Sequence, residues 1–277
     1  MTTIRDAVRV QEVSSSYWRI TFDNPPLNVV DSAILTGLRE LVDRIEVDDE
    51  LKVVVFDSAD EDFFLAHFDM TGESLPTARA IGPSGLPGVT DVLTRLASAP
   101  VLSVAKIRGR ARGVGSEFVL ACDIRFASAE KAVLGQPEVG AGVIPGGGGV
   151  ERLAHLVGRG RALEIIVGAD DFDAQTAQRY GYINRAVPDA ELDAFVDAFA
   201  RRVASFDKRP LAVAKQLTNR ITLPLTGHLL ESQTAFGATL TWPETQRRVT
   251  KLFDKGMQRR GDLERRFGHH LAELLDD

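Results

Sequence analysis

Two carboxylates stand where acids are out of place. Glu117 follows a glycine-rich turn, Gly109 to Gly115, and is succeeded by Phe118, Val119, Leu120 and Ala121. Glu138 follows Gly135-Gln136-Pro137 and precedes Val139-Gly140-Ala141-Gly142. An acid on an apolar, buried segment carries a desolvation cost that something must offset. Glu117 reads either as a charge favoured by the positive end of a helix or as a carboxylate held in a pocket. Glu138 taken alone reads as a loop surface residue. The turn itself is either a tight structural turn or a set of backbone N–H groups aimed at a developing oxyanion. With such a turn, the two acids make a candidate acid/base pair, since proton transfer at carbon and the handling of water are separate tasks. Sequence spacing does not bring them together; only a fold can.

Other chemistries lack their residues. There is no G-x-x-x-x-G-K-[ST] loop, no G-x-G-x-x-G fingerprint and no G-x-S-x-G elbow. The histidines at positions 67, 155, 228, 269 and 270 show no metal-type pairing, and Cys122 reads as a small core residue.

The elements that must position these residues follow from periodicity. Residues 7–13 and 17–22 alternate as two strands around a turn at Ser14–Ser16. Asp31 predicts the N-cap of a helix over 32–46, with Ile34, Leu38, Leu41, Val42 and Ile45 on one face. Residues 52–56 (KVVVF) read as a buried strand. A helix over 89–98, a strand over 101–107, the glycine turn, a helix over 115–121, strands at 122–127 and 132–134 and a helix over 150–157 follow. From Arg159 onward the pattern is helical, over 159–167, 174–180, 190–204, 208–220, 226–239 and 243–256. A strand-rich front and a helix-rich end predict an α/β core with a helical C-terminal region, divided between 195 and 210. Residues 71–88 are rich in Gly, Pro, Ser and Thr and read as a mobile segment, either a lid or an inert surface loop.

The chain has 277 residues, of which 44% are hydrophobic, enough for a sizeable core and too many for a disordered chain. One cysteine forms no internal disulfide, which suits a reducing compartment. The formal charge of −6 makes no match for nucleic acid. That charge is uneven: residues 201–277 carry 14 Lys and Arg against 9 Asp and Glu, and residues 1–200 carry 19 against 30. Solvated helix faces explain this as well as an anion-binding tail does. No secretory signal and no long apolar run are visible, so a cytoplasmic protein without a membrane span is expected.

Four stretches resemble the crotonase, or enoyl-CoA hydratase/isomerase, superfamily. Asn24-Pro25-Pro26-Leu27-Asn28-Val29-Val30 is similar to N-P-P-x-N-A-L, and Phe63-Phe64-Leu65-Ala66-His67-Phe68-Asp69-Met70 to F-x-A-G-A-D-[IL]. Gly109 to Glu117, through to Asp123, resembles N-G-x-A-x-G-G-G-x-E-L-x-x-x-C-D. Gly135-Gln136-Pro137-Glu138, with Pro145 to Gly149, resembles F-G-x-P-E followed by P-G-x-G-G. The resemblance spans about residues 17–260, and the four motifs in order are specific for the superfamily.

The resemblance implies an α/β fold, a crotonase-like spiral of ββα units over 1–200, with a helical region over 201–277 for assembly into trimers or hexamers. It implies an acyl-CoA thioester as substrate and no cofactor or metal beyond the CoA moiety. The thioester oxygen would sit between the N–H groups of Phe68 and Val114. Glu117 would position and activate water, and Glu138 would deliver a proton to C2. Leu27, Val29, Ala66 and Asp69 would lie on the substrate side, and Lys255 would meet a CoA phosphate. Both glutamates, with Gly146 where dienoyl-CoA isomerases place an aspartate, favour hydration of a trans-2-enoyl-CoA. Another reaction of the superfamily, such as enoyl-CoA isomerisation, and a catalytically silent acyl-CoA-binding protein are the alternatives. This chain departs from the pattern at His67-Phe68, which replace Gly-Ala, at Val114, which replaces glycine, and at Arg108, which replaces asparagine. Phe68 would narrow the pocket or wall it with an aromatic ring. Arg108, Arg110 and Arg112 read as solvent-facing in preference to partners of an anionic acyl group or phosphate.

Overall fold

The computed structural model describes residues 2–275. Its strands, in chain order, are β1 (Thr2–Arg5), β2 (Val8–Ser14), β3 (Tyr17–Phe22), β4 (Val53–Ser58), β5 (Phe63–Leu65), β6 (Leu102–Ile107), β7 (Arg110–Arg112), β8 (Ile124–Ser128), β9 (Val133–Gly135), β10 (Phe172–Asp173) and β11 (Arg185–Val187). A seven-stranded sheet runs β1-β2-β3-β4-β6-β8-β11, and a four-stranded sheet runs β10-β9-β7-β5. The first two pairings of the large sheet are antiparallel and its others are parallel. In the small sheet β5, β7 and β9 are parallel.

The chain therefore repeats one unit: a long strand in the large sheet, a short strand in the small sheet, then a helix. β4 and β5 lead to the helix Gly88–Ser98, and β6 and β7 to the helix Val114–Ala121. β8 and β9 lead to the short helix Glu138–Ala141 and then to Gly149–Val157. Each turn of this spiral adds one strand to each sheet. This is the ββα spiral that the motifs implied.

Strand periodicity sorts the core into two layers. On β4, Val54 and Phe56 join a large cluster with Ile34, Leu41 and Ile45 of the helix Ser32–Val47. Val53 and Val55 point to the other face, where Leu192, Val196, Ala200 and Val203 of the helix Asp189–Ala204 cover them. Asp31 caps the helix Ser32–Val47 as expected, its side chain accepting the N–H groups of Ala33 and Ile34 at 2.9 and 3.0 Å.

Several features differ from the reading of the sequence. β1, β5, β10, β11 and the short helices Glu138–Ala141, Asp262–Arg265 and Phe267–Ala272 were not anticipated, and β7 lies within the stretch read as the glycine turn. Residues 71–88, read as a mobile lid or surface loop, hold the helix Leu75–Arg79 and a bridge between Ile81 and Pro87. Side chains outside any local pattern pin them. Ser74 Oγ donates to Asp69 and accepts the Ser32 N–H, and Arg39 donates to the carbonyls of Thr77 and Ala80.

Phe118, next to Glu117, anchors its helix to the sheet. Its ring lies 4.9 Å from that of Phe56 and 5.3 Å from that of Phe22, both edge to face. Phe118→Ala is expected to cost about 3–5 kcal/mol, as for other buried aromatic truncations, and Phe118→Leu clearly less. Urea unfolding of the two variants beside the wild type measures both values.

Candidate active site

Three parallel strands of the small sheet end on one cavity. β5 runs out into His67 and Phe68, β7 into Gly113 and Val114, and β9 into Pro137 and Glu138. The cavity has a volume of about 310 Å³ and a mostly apolar wall. Glu117 and Glu138 both line it. The sequence placed these two 21 positions apart with no local reason to meet; adjacent, parallel β7 and β9 bring them together.

Glu117 projects from the helix Val114–Ala121. That helix can lie close to β5 only because residue 115 is glycine, where a Cβ would fall 2.1 Å from the Leu65 carbonyl oxygen. Glu117 is 3% exposed. Its Oε1 accepts the N–H groups of Gly147 and Gly149 at 2.8 and 2.9 Å. Burial raises its pKa, against the lowering effect of those two N–H groups and of Arg152. Glu138, which alone read as a surface residue, opens the helix Glu138–Ala141 and is buried. Burial and the nearby Glu117 charge push its carboxyl well above the usual range. The Gln136 amide nitrogen donates to its two oxygens at 3.1 and 2.9 Å, while the amide oxygen accepts from Ser116 Oγ at 3.2 Å. In the opposite orientation the amide nitrogen donates to Ser116 Oγ at 3.2 Å and the amide oxygen faces Glu138, which can serve it only as a protonated carboxyl. Glu138 is therefore the acid more inclined to keep its proton, and Glu117 the one whose charge is better supported.

Two backbone donors face the same space. Phe68 makes a parallel bridge with Val30, in which Val30 N–H donates to the His67 carbonyl and Asp69 N–H to the Val30 carbonyl. That pattern turns the Phe68 N–H the other way, towards the cavity side. Val114 is the first residue of its helix, so its N–H has no partner within the helix. Neither N–H has an acceptor among the described residues. At Gly146 there is no room for a further acid, because a Cβ there would fall 2.8 Å from the Phe236 side chain.

The remaining expected residues lie elsewhere. Leu27 and Ala66 are buried with Phe63 in a small separate cluster against Val29, and Asp69 accepts from Thr71, Ser74 and Gln258. None of Leu27, Val29, Ala66 and Asp69 is on the cavity wall. Lys255 is exposed at the C-terminal end of the helix Pro243–Asp254 and is also off the wall.

The arginines correct the solvent-facing reading. Arg112 is 1% exposed and binds Asp171 with two hydrogen bonds, at 2.6 and 2.7 Å. Its other donors reach the carbonyls of Glu264 and Arg265. Arg110 also donates to the Arg265 carbonyl, and Arg108 pairs with Asp189 and Asp193. Each satisfies a distant acid or carbonyl, which no local pattern announces. The sequence also concealed how much of the wall the C-terminal region supplies: Phe236, Leu240, Leu252, Met257 and Phe267 all line the cavity.

A ββα spiral with two buried acids and two unpaired N–H groups around an apolar cavity defines the crotonase class. The family model described as enoyl-CoA hydratase/isomerase matches residues 12–266. A short-chain-enoyl-CoA hydratase of Clostridium acetobutylicum is 31% identical over 85% of this chain and 90% of its own. A crotonyl-CoA hydratase of Syntrophomonas wolfei subsp. wolfei is 32% identical over 70% of this chain and 74% of its own. A solved structure of a candidate enoyl-CoA hydratase from Streptomyces avermitilis superposes with a TM-score of 0.93 and 41% identity, covering 98% of each chain. The chain belongs to the enoyl-CoA hydratase/isomerase family.

The raised Glu138 pKa has a consequence for stability. The folded protein holds this proton to higher pH than the unfolded chain, whose carboxyl titrates near 4.5. The stability this group contributes is therefore greatest below pH 4.5 and is lost as pH rises through the elevated folded value. Glu138→Gln lacks this loss, so its stability relative to wild type is expected to improve steadily from pH 4.5 towards neutrality. Urea unfolding across that range, read as the difference between the two proteins, checks the sign.

Proposed function

We propose that this protein is an enoyl-CoA hydratase that adds water reversibly, in the syn sense, to a trans-2-enoyl-CoA. The observation that carries the proposal is the shared cavity of Glu117, Glu138 and the two unpaired N–H groups. The thioester oxygen would accept from Phe68 N–H and Val114 N–H. As water adds to C3, negative charge builds on that oxygen, and fixed donors in an apolar site stabilise it by several kcal/mol, roughly 3–4 per donor. Glu117 takes the proton that water sheds, and Glu138 gives its own proton to C2. Water's OH ends on C3 and a hydrogen on C2. A proton passed from Glu117 to Glu138 resets the pair. The supported charge on Glu117 and the retained proton on Glu138 suit these opposite roles.

The reaction moves no electrons to or from an acceptor, so the proposal includes no redox cofactor or metal, only the CoA moiety of the substrate. Its phosphates are assigned to the basic C-terminal region, with Lys255 as the first residue to test. A homotrimer or hexamer belongs to the same proposal. Its support is an exposed stripe on the helix Lys208–Thr222, where Val213, Leu217 and Ile221 are spaced one turn apart and are 51%, 50% and 79% exposed. A cytoplasmic setting suits the single buried thiol of Cys122. Among the described residues no helix is long and apolar enough to cross a membrane.

Turnover of crotonyl-CoA and of longer enoyl-CoAs, followed at the enoyl-thioester absorbance, tests the activity. Wild type is expected to hydrate at least one of them. Glu117→Gln and Glu138→Gln should each lose orders of magnitude in kcat while acyl-CoA binding persists. Binding without turnover in the wild type would overturn the hydratase and leave a binding protein; isomerisation that survives Glu117→Gln would make Glu138 the sole acid. For assembly, Leu217→Asp with Ile221→Asp is expected to shift sedimentation velocity towards the monomer.

A further inference from the structure

We propose that His67 and Glu264 form a positioning pair through which the C-terminal segment 258–267 holds the Phe68 N–H in its oxyanion-binding place. The proposal rests on the hydratase reading of that N–H. Phe68 lies three residues past the end of β5, tied to the core by its bridge to Val30 and, just before it, by the Ala66 N–H on the Asn28 carbonyl. Val114 needs no such help, because its helix fixes it. The bridge orients the peptide that carries the Phe68 N–H, and something else must anchor the loop that continues from it to Met70.

The tail does so at three points. His67 Nδ1 donates to the Phe68 carbonyl at 2.8 Å, and His67 Nε2 meets Glu264 Oε1 at 3.0 Å. Gln258 Oε1 accepts the Met70 N–H at 2.8 Å, and its amide nitrogen donates to Asp69 at 3.1 Å. Gln258 N–H in turn donates to Glu264 Oε1 at 2.7 Å, so one carboxylate oxygen collects both ends of the clamp. The same segment touches the second donor's strand, since Arg112 donates to the Glu264 carbonyl at 2.6 Å. Residues before and after Phe68, and the strand leading to Val114, thus share one anchor.

The protonation state follows from the partners. A carbonyl only accepts, so Nδ1 carries a proton. Against the effect of burial, the His67 charge and hydrogen bond hold the Glu264 carboxyl below its ordinary pKa, and an ionised Glu264 only accepts, so Nε2 carries another proton and His67 is an imidazolium. Glu264 is fully buried and the His67 side chain is 8% exposed, so each charge depends on the other. The titratable and charged groups near the ring are Glu264 from the tail, Arg112 from β7 with its partner Asp171, and Glu138 across Gly113. The Phe267 ring stacks on the imidazole at 5.6 Å. The Glu264 charge raises the His67 pKa against the opposing effects of burial and Arg112.

The pair is absent from the motif, where Gly-Ala stands in place of His67-Phe68. In this chain the tail therefore takes part in setting the oxyanion hole. The test reads that hole directly. A conjugated dienoyl-CoA absorbs further to the red as its carbonyl oxygen is polarised, and Glu117→Gln keeps it from being consumed. Glu117→Gln is expected to bind it with a red shift. Adding Glu264→Gln should remove at least half of that shift with Kd changed less than threefold. In the otherwise wild-type enzyme, Glu264→Gln should lower kcat on the order of 10- to 100-fold with KM nearly constant. His67→Ala with Glu264→Gln should be no worse than His67→Ala alone. An undiminished red shift, or a kcat loss matched by a rise in KM, overturns the pair. Should Glu264→Gln fail to fold, the Glu117→Gln protein answers alone: its red shift should fade as NMR shows His67 losing its Nε2 proton, and a shift that is flat through that titration overturns the proposal. If Glu117→Gln binds the dienoyl-CoA with no red shift at all, the oxyanion reading fails first and takes the pair with it.

Discussion

Two carboxylates buried side by side in an apolar cavity cost the protein stability, and much of the surrounding structure exists to keep them there. An isolated buried carboxylate is too expensive to stay charged; it must be hydrogen-bonded, paired or neutralised. The two acids are treated differently. Glu117 receives two backbone N–H groups at its Oε1. Those groups can come so near only where the chain has no side chain: a Cβ on Gly147 would sit 2.5 Å from Glu117 Oε2. The glycine run after Pro145 is thus a consequence of solvating a carboxylate with peptide groups. At Glu138 burial and the field of Glu117 outweigh the help of its own backbone N–H, so its carboxyl is pushed well above the usual range. The asymmetry that separates a base from an acid comes from the backbone, not from the side chains, which are identical.

This explains what the sequence made readable. The ββα spiral was legible because each strand alternates faces and each helix carries an apolar stripe, as on β4 and on the helix Ser32–Val47. Glu117 was suspicious for a local reason, an acid ahead of four apolar residues. Glu138 was less so; taken alone among small, flexible residues it looked solvated, and it drew attention only as a second acid beside the glycine turn, a role that the motif resemblance then made specific. Its burial comes from the pairing of β7 with β9 and from the cover of Leu271 over Gly140, neither of which leaves a local trace. The same holds for Arg112, whose partner Asp171 is 59 positions away, and for His67, whose partner Glu264 is 197 positions away. Glu264 sits in a run of charges, Asp262-Leu263-Glu264-Arg265-Arg266, that reads as ordinary surface. Long-range pairs of opposite charge use residue types that are common on any surface, so type and spacing cannot reveal them.

The uneven charge also finds a structural place. The basic end of the chain folds back on the acidic front. Arg260 meets Asp60 and Asp62 at 2.5 and 2.9 Å, and Lys215 meets Asp123 at 2.7 Å. The half-exposed Arg260 pairs contribute about 0–1 kcal/mol each, so they select where the tail docks more than they hold it there, whereas Lys215 is buried and also donates to the carbonyls of Leu96 and Val101. Holding falls to the apolar contacts. Leu252, Met257, Phe267 and Leu271 form one cluster with Ala169, and Ala141 and Met70 pack against it. That cluster joins the helix bearing Glu138 and the loop after Phe68 to the last third of the chain.

The tail therefore belongs to the chemistry as well as to the packing. Its side chains, with those of residues 75–89, close the cavity to a mostly apolar wall. Excluding bulk water raises both carboxyl pKa values and at the same time strengthens every dipole pointed at the site, because the screening is lost. One act of burial supplies the proton donor and the oxyanion stabiliser together. The cost is a fold that is less stable than an apolar core of the same size, most of all where both acids are ionised. A chain with glutamine at 138 would relieve that cost and forfeit the proton. Stability and reactivity at this site are two readings of the same desolvation.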